Sequence, residues 1–232
     1  MNDKFDHHVH IGQWENEYYS APEVFSHLKH QGKIGCNFMS TTSCAPLHPD
    51  DKKEIISLYE KVCAEINEAL YTAKQMNFDV HAYYWIVPLF HISGISFEQV
   101  LSELPEYCGL KIHPRSHNWS PQNPERAELL HQVFCFAKKY NLPVILHTGD
   151  SAEDSPCLYE EWYKNYPAVK VTLAHCKNLS EVVYLFDKFP QLNGDTAFIP
   201  QNNFEYLLQN GYENRLVYGS DYPISTFYRI TK

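Results

Sequence analysis

Eight short apolar runs alternate with seven runs of helical period, and this alternation constrains the fold of the 232-residue chain more than any other feature. The strand candidates are 5–12, 34–40, 78–87, 109–113, 142–147, 169–175, 192–197 and 216–221. The helix candidates lie at 20–32, 50–76, 96–104, 123–140, 155–166, 178–189 and 201–210. In 50–76 the residues Ile55, Tyr59, Val62, Ile66, Ala69 and Ala73 recur at spacings of three and four, the mark of a helix with one apolar face. Ser20 and Asn123 stand as N-caps, each with a proline in the first turn behind it. Strands alternating with helices at this spacing predict a parallel sheet. Eight such units predict an α/β fold of the (β/α)8 or TIM-barrel type, in a single domain spanning 1–232, rather than an open doubly wound sheet. After Asp221 only 11 residues follow, too few for a full closing helix. That leaves three readings: incomplete closure, a second copy of the chain covering the gap as a homo-oligomer, or truncation.

Composition narrows the function classes. The formal net charge is -9, whereas a duplex-binding surface carries a basic excess, so nucleic acid is not expected as a partner. No 18-residue apolar run occurs and the first residues lack an apolar core segment, so neither a membrane span nor a signal peptide is expected. The seven cysteines form no C-x-x-C pair, which fits free thiols in a reducing, cytoplasmic setting. A small molecule is the expected partner.

Chemistry-bearing side chains gather at strand ends, where barrels of this type carry their active sites. The first strand reads Asp6-x-His8-x-His10. Two histidines two residues apart on a strand share a face at about 6.6 Å, close enough for both imidazoles to meet one cation. Strand four ends in Lys111 and His113, strand five in His147, strand six in His175 and strand eight in Asp221. Each ends an apolar run and precedes a turn signal. His27, His30 and His131 fall on helices instead and are read as surface or packing residues.

As an ordered set these motifs resemble the amidohydrolase superfamily, in its amidohydrolase-related (amidohydrolase 2) branch of hydrolases, lactonases and decarboxylases. The matching segments are Asp6-x-His8-x-His10, Gly109-x-Lys111-x-His113-Pro114, His147-Thr148-Gly149, His175 and Gly219-Ser220-Asp221-Tyr222-Pro223. The resemblance implies that His8, His10, His147 and Asp221 bind one divalent metal ion, Zn²⁺ by preference. It implies that His175 orients or exchanges protons with the water beside it, with Asp221 as a second catalytic group. Neutral imidazoles and one carboxylate suit zinc independently of the resemblance.

Lys111, His113 and Arg115 are candidate substrate-binding residues. For Lys111 three roles stay open: contact with a substrate carboxylate, pairing with a buried acid such as Asp6 or Asp195, and a carboxylated form bridging two metals. His113, Arg115, His117 and Trp119 are read as a basic, aromatic loop, and Asp150 and Asp195 as weaker candidates. Lys177 departs from the family pattern, where a glycine often stands second after the strand-six histidine. The expected activity is metal-dependent hydrolysis of an amide, ester or lactone. The alternatives are non-oxidative decarboxylation of an aromatic or unsaturated acid at the same site, and an inactive barrel that serves as a binding protein.

Overall fold

A computed structural model of the chain describes residues 3–119 and 121–226. The backbone gathers into two compact units, Lys4–Cys108 with the chain from Asp221 onward, and Gly109–Ser220.

The first unit runs β1 (Phe5–Trp14), β2 (Glu17–Tyr19), α1 (Ala21–His30), β3 (Gly35–Ser40), α2 (Lys52–Met76), β4 (Asp79–Trp85), α3 (Pro88–Ile92) and α4 (Phe97–Glu103). β1, β3 and β4 pair in parallel. Local chemistry sets the helix ends. Asp51 accepts from the amides of Lys53 and Glu54 at 3.1 and 3.0 Å to start α2, and Asn77 ends it in the left-handed region at φ 48°. The core forms where α1 lies on the sheet: the Phe25 ring meets those of Phe38 and Phe78 at centroid distances of 5.7 and 5.5 Å. Val62, Ile66 and Ala69 of α2 are buried, as the helical period predicts.

The second unit takes most of β5 (Tyr107–Ile112), then α5 (Pro114–His117), α6 (Pro124–Tyr140), β6 (Val144–His147), α7 (Glu160–Asn165), β7 (Val171–Ala174), α8 (Leu179–Lys188), β8 (Leu192–Asp195), α9 (Gln201–Gln209) and β9 (Leu216–Val217). β5 to β9 pair in parallel in chain order. Leu110, Val144, Leu173 and Leu192 are buried on these strands and Leu130, Val133 and Leu185 on the helices, giving a mixed α/β layer structure.

All eight predicted strands are present, and within each unit they pair with one another in parallel. Four local differences have physical reasons. The stretch after β1, expected as loop, folds back as the antiparallel strand β2, with Gly12 opposite Tyr19. α3 and α5 begin at prolines, which suit a first helical turn, and at five and four residues they are too short to show a period. β1 carries a bulge: Asp6 lies opposite Cys36 but Val9 opposite Phe38, so strict alternation from Asp6 to His10 breaks. The eighth strand is short, and Asp221 beyond it is held by β1 instead. The Asp221 N–H donates to His8 O and the His10 N–H to Tyr222 O, both at 2.8 Å. The sequence predicts no full closing helix after Asp221; residues 224–226 begin a helical turn, and 227–232, where that prediction falls, lie outside the described residues. No helix among the described residues is long and apolar enough to cross a membrane.

Candidate metal centre and histidine cluster

The first unit builds a buried three-residue centre. His8, His10 and Asp221 are 1%, 4% and 5% exposed. Their two imidazole rings stand 5.1 Å apart. Asp221 Oδ1 lies 2.7 Å from His10 Nε2 and 3.4 Å from His8 Nε2. The backbone explains the aim. Asp221 adopts φ +55°, a left-handed conformation uncommon outside glycine, fixed by its own N–H on His8 O and by Ser225 N–H on its carbonyl at 2.9 Å. The Trp85 ring, 5.7 Å from that of His10, closes an apolar side. Asp6 Oδ1 accepts the His8 backbone N–H at 3.2 Å and so supports the strand. One ligating atom from each of His8, His10 and Asp221 fits within 4.8 Å of the others. Two imidazoles and a carboxylate converging in a buried place fit a divalent ion and leave room for further ligands.

The second unit builds a histidine cluster. His147 is 7% exposed, His175 2% and Lys111 1%. His175 Nδ1 lies 3.0 Å from Ala197 O and its Nε2 lies 2.9 Å from His147 Nδ1. A carbonyl only accepts, so Nδ1 of His175 carries a hydrogen, and one further hydrogen lies between His175 Nε2 and His147 Nδ1. His147 Nε2 lies 2.8 Å from Asp150 Oδ2, and a carboxylate only accepts, so Nε2 carries a hydrogen and donates it there. Burial pushes the His147 pKa down, against the opposing pull of Asp150. The Asp150 carboxyl is held below the usual carboxylate range by its bond to His147 and by Lys177. Asp154, fully buried, brings a third ligating atom within 4.8 Å of those of His147 and Asp150. Cations already balance this group: Lys177 Nζ pairs with Asp150 Oδ1, and Arg115 Nη1 lies 3.8 Å from Oδ2.

His113 stacks on His147 with rings 3.8 Å apart and 13° from parallel. Burial, then the charges of His147 and Lys111, hold its pKa well below the ordinary value, and its Nδ1 accepts the Ser116 N–H at 3.3 Å. The expected basic loop is therefore partly a capped helical turn. Trp119 is buried and Arg115 is exposed. Lys177, where the family pattern often has glycine, lies over the Phe198 ring at 5.6 Å. Cys176 is a buried packing residue, its thiol pKa pushed up by burial.

Sequence reasoning underrated Asp195. This fully buried carboxylate accepts the His175 and Ala197 N–H groups through Oδ1 at 2.9 and 3.1 Å. It thereby holds His175 and Cys176 at φ +74° and +42°. The available signal was an acid inside the seventh predicted strand, 192–197.

The amidohydrolase family model matches residues 6–231, and the chain belongs to that family. No curated protein matches it. Among solved structures it is similar to an amidohydrolase II, at 15% identity and TM-score 0.68, covering 94% of this chain and 87% of that one. It is also similar to 4-oxalomesaconate hydratase from Rhodopseudomonas palustris, at 9% identity and TM-score 0.63, covering 95% and 82%. A third is 5-carboxyvanillate decarboxylase from Novosphingobium aromaticivorans, complexed with manganese, at 12% identity and TM-score 0.54, covering 88% and 68%. At these identities the likeness is one of fold.

Proposed function

We propose that this chain is a metal-dependent hydrolase that opens an amide, ester or lactone bond in a small, carboxylate-bearing substrate. The observation that carries the reading is the convergence of His8, His10 and Asp221 on one buried point. Zinc is the proposed ion, on the chemistry of that donor set. The His147-Thr148-Gly149 motif is the ground for His147 as a further ligand. Such an ion, when bound, polarises a carbonyl and lowers the pKa of water to about 7.

The chain's own side chains supply orientation and proton handling. Asp221 fixes both imidazoles and can take a proton from the attacking water. His175, its Nδ1 pinned on Ala197 O, offers Nε2 for proton exchange. Lys111 adds positive charge and neutral His113 a donor for a substrate carboxylate, with Arg115 as a bidentate fork at the exposed edge. Buried Lys111 also keeps the carboxylated, two-metal role open. A second reading, decarboxylation of an aromatic acid with His175 protonating the ring carbon, is favoured by the likeness to a manganese-bound decarboxylase.

Metal analysis of protein purified without chelator tests the first step, with about one ion per chain expected. His8→Ala and Asp221→Ala should abolish uptake, while His175→Ala keeps the ion and loses turnover. A wild-type protein that takes up no divalent ion refutes the metalloenzyme reading. Assays against lactone and hydroxybenzoate panels separate ring-opened acid from carbon dioxide as product. Metal uptake without turnover on either panel supports the binding-protein alternative.

A further inference from the structure

Glu65 is a buried carboxylate that the proposed chemistry does not use. It lies on the apolar stripe of α2, between buried Val62 and Ala69, and is 7% exposed. Its oxygens reach the ends of β1 and β3. Ser40 Oγ donates to Oε2 at 2.7 Å and Thr42 Oγ1 donates to Oε1 at 3.0 Å. Each hydroxyl in turn accepts a backbone N–H: that of Thr42 on Ser40 Oγ at 3.2 Å, and that of Gln13 on Thr42 Oγ1 at 2.9 Å. Thr41 Oγ1 donates to Ile11 O at 2.8 Å beside them.

Both chains of donors run toward the carboxylate. Only a group that accepts twice and carries no hydrogen can end both, which an ionised glutamate does and a glutamine does not. The chains begin just beyond His10. Gly12, at φ +90°, has no room for a side chain: a Cβ there would stand 2.6 Å from Thr42 Oγ1 and 2.9 Å from Glu65 Oε2. The strand end is thus packed directly on the network. A residue needed only for packing would be apolar, because burying a charge is costly unless hydrogen bonds offset it.

We infer that Glu65 is a positioning residue for His8 and His10: through Thr42 and Ser40 its carboxylate fixes the end of the strand that aims both imidazoles. This rests on the metal reading above and adds a part to it. Glu65 acts through backbone, not on substrate.

The variants are Thr42→Val, which keeps shape and removes the relay, and Glu65→Gln, which keeps shape and removes the double acceptor. Val62→Ala, one turn away on α2, is the packing control. Two readouts apply: cobalt(II) titration followed by its visible absorption, and amide hydrogen exchange of metal-free protein. Supports of metal ligands usually change affinity by about 10–100-fold, so both variants should bind cobalt that much more weakly and with an altered band shape. The Gln13 amide should exchange about ten-fold faster, beyond any change shared by all slow amides. Val62→Ala should change neither the band shape nor Gln13 selectively. Wild-type cobalt affinity, spectrum and Gln13 exchange in both variants would overturn the inference. If wild-type protein binds no cobalt, the metal reading falls, and unchanged Gln13 exchange in the variants still refutes the role of Glu65.

Discussion

Replacing Asp195 with alanine removes the acceptor that holds His175 in its left-handed turn. Oδ1 of Asp195 takes two backbone N–H groups at 2.9 and 3.1 Å, and the side chain is fully buried. In the alanine variant both donors stay inside with no acceptor from that side chain. A hydrogen bond to a charged group contributes about 1.5–3 kcal/mol, and water entering the small hole recovers part of that. The expected destabilisation is about 3–4 kcal/mol. Asparagine keeps an oxygen where both N–H groups converge and loses only the charge, so it should cost about 1–1.5 kcal/mol. Urea unfolding followed by circular dichroism measures both. The structure adds a second consequence. Once the turn relaxes, His175 Nε2 leaves His147 Nδ1, so turnover should fall further in the alanine variant than in the asparagine variant at equal folded fraction. The reasoning fails if the alanine variant lies within about 1 kcal/mol of wild type, or if both substitutions cost the same.

Acid sensitivity should trace partly to His91, whose pKa burial lowers to about 4 from 6.5. Between those values the unfolded chain binds a proton that the folded chain does not, so His91 makes stability fall as pH drops through that window and has no such effect above it. His91→Phe, which keeps a ring on Phe97, should show a smaller difference between denaturation midpoints at neutral and acid pH. Gly194→Ala places a methyl group against Cys176 Sγ and should destabilise by about 1–3 kcal/mol. The double variant with Cys176→Ala should recover much of that loss in thermal melts; strict additivity would contradict the contact. Gly12→Ala should lower metal affinity as well as stability, since it forces the end of β1 off Thr42 and Glu65.

The strands were legible because each is an apolar run closed by a polar residue and a turn signal. His147, His175 and Asp221 stood out for the same reason. What escaped depends on relations between segments. The bulge in β1 is a register between two strands, so Asp6-x-His8-x-His10 alone reads as regular alternation. β2 has little apolar content of its own and exists because β1 offers an edge. Asp195 and Glu65 act on backbone N–H and hydroxyl groups that only the tertiary fold delivers. For Glu65 the chain did hold a signal: an acid on the apolar stripe of α2.

Asp221 belongs to the first unit although all of the second unit precedes it in the chain. It meets β1 through a short seam, the two backbone bonds to His8 and His10. Detaching that seam is a local event that leaves every other strand pairing in place, and local openings need far less free energy than global unfolding. An ion held by His8, His10 and Asp221 would therefore have a residence time set by how often the seam opens. Its dissociation rate would serve as a clock on the return of the chain to its first strand.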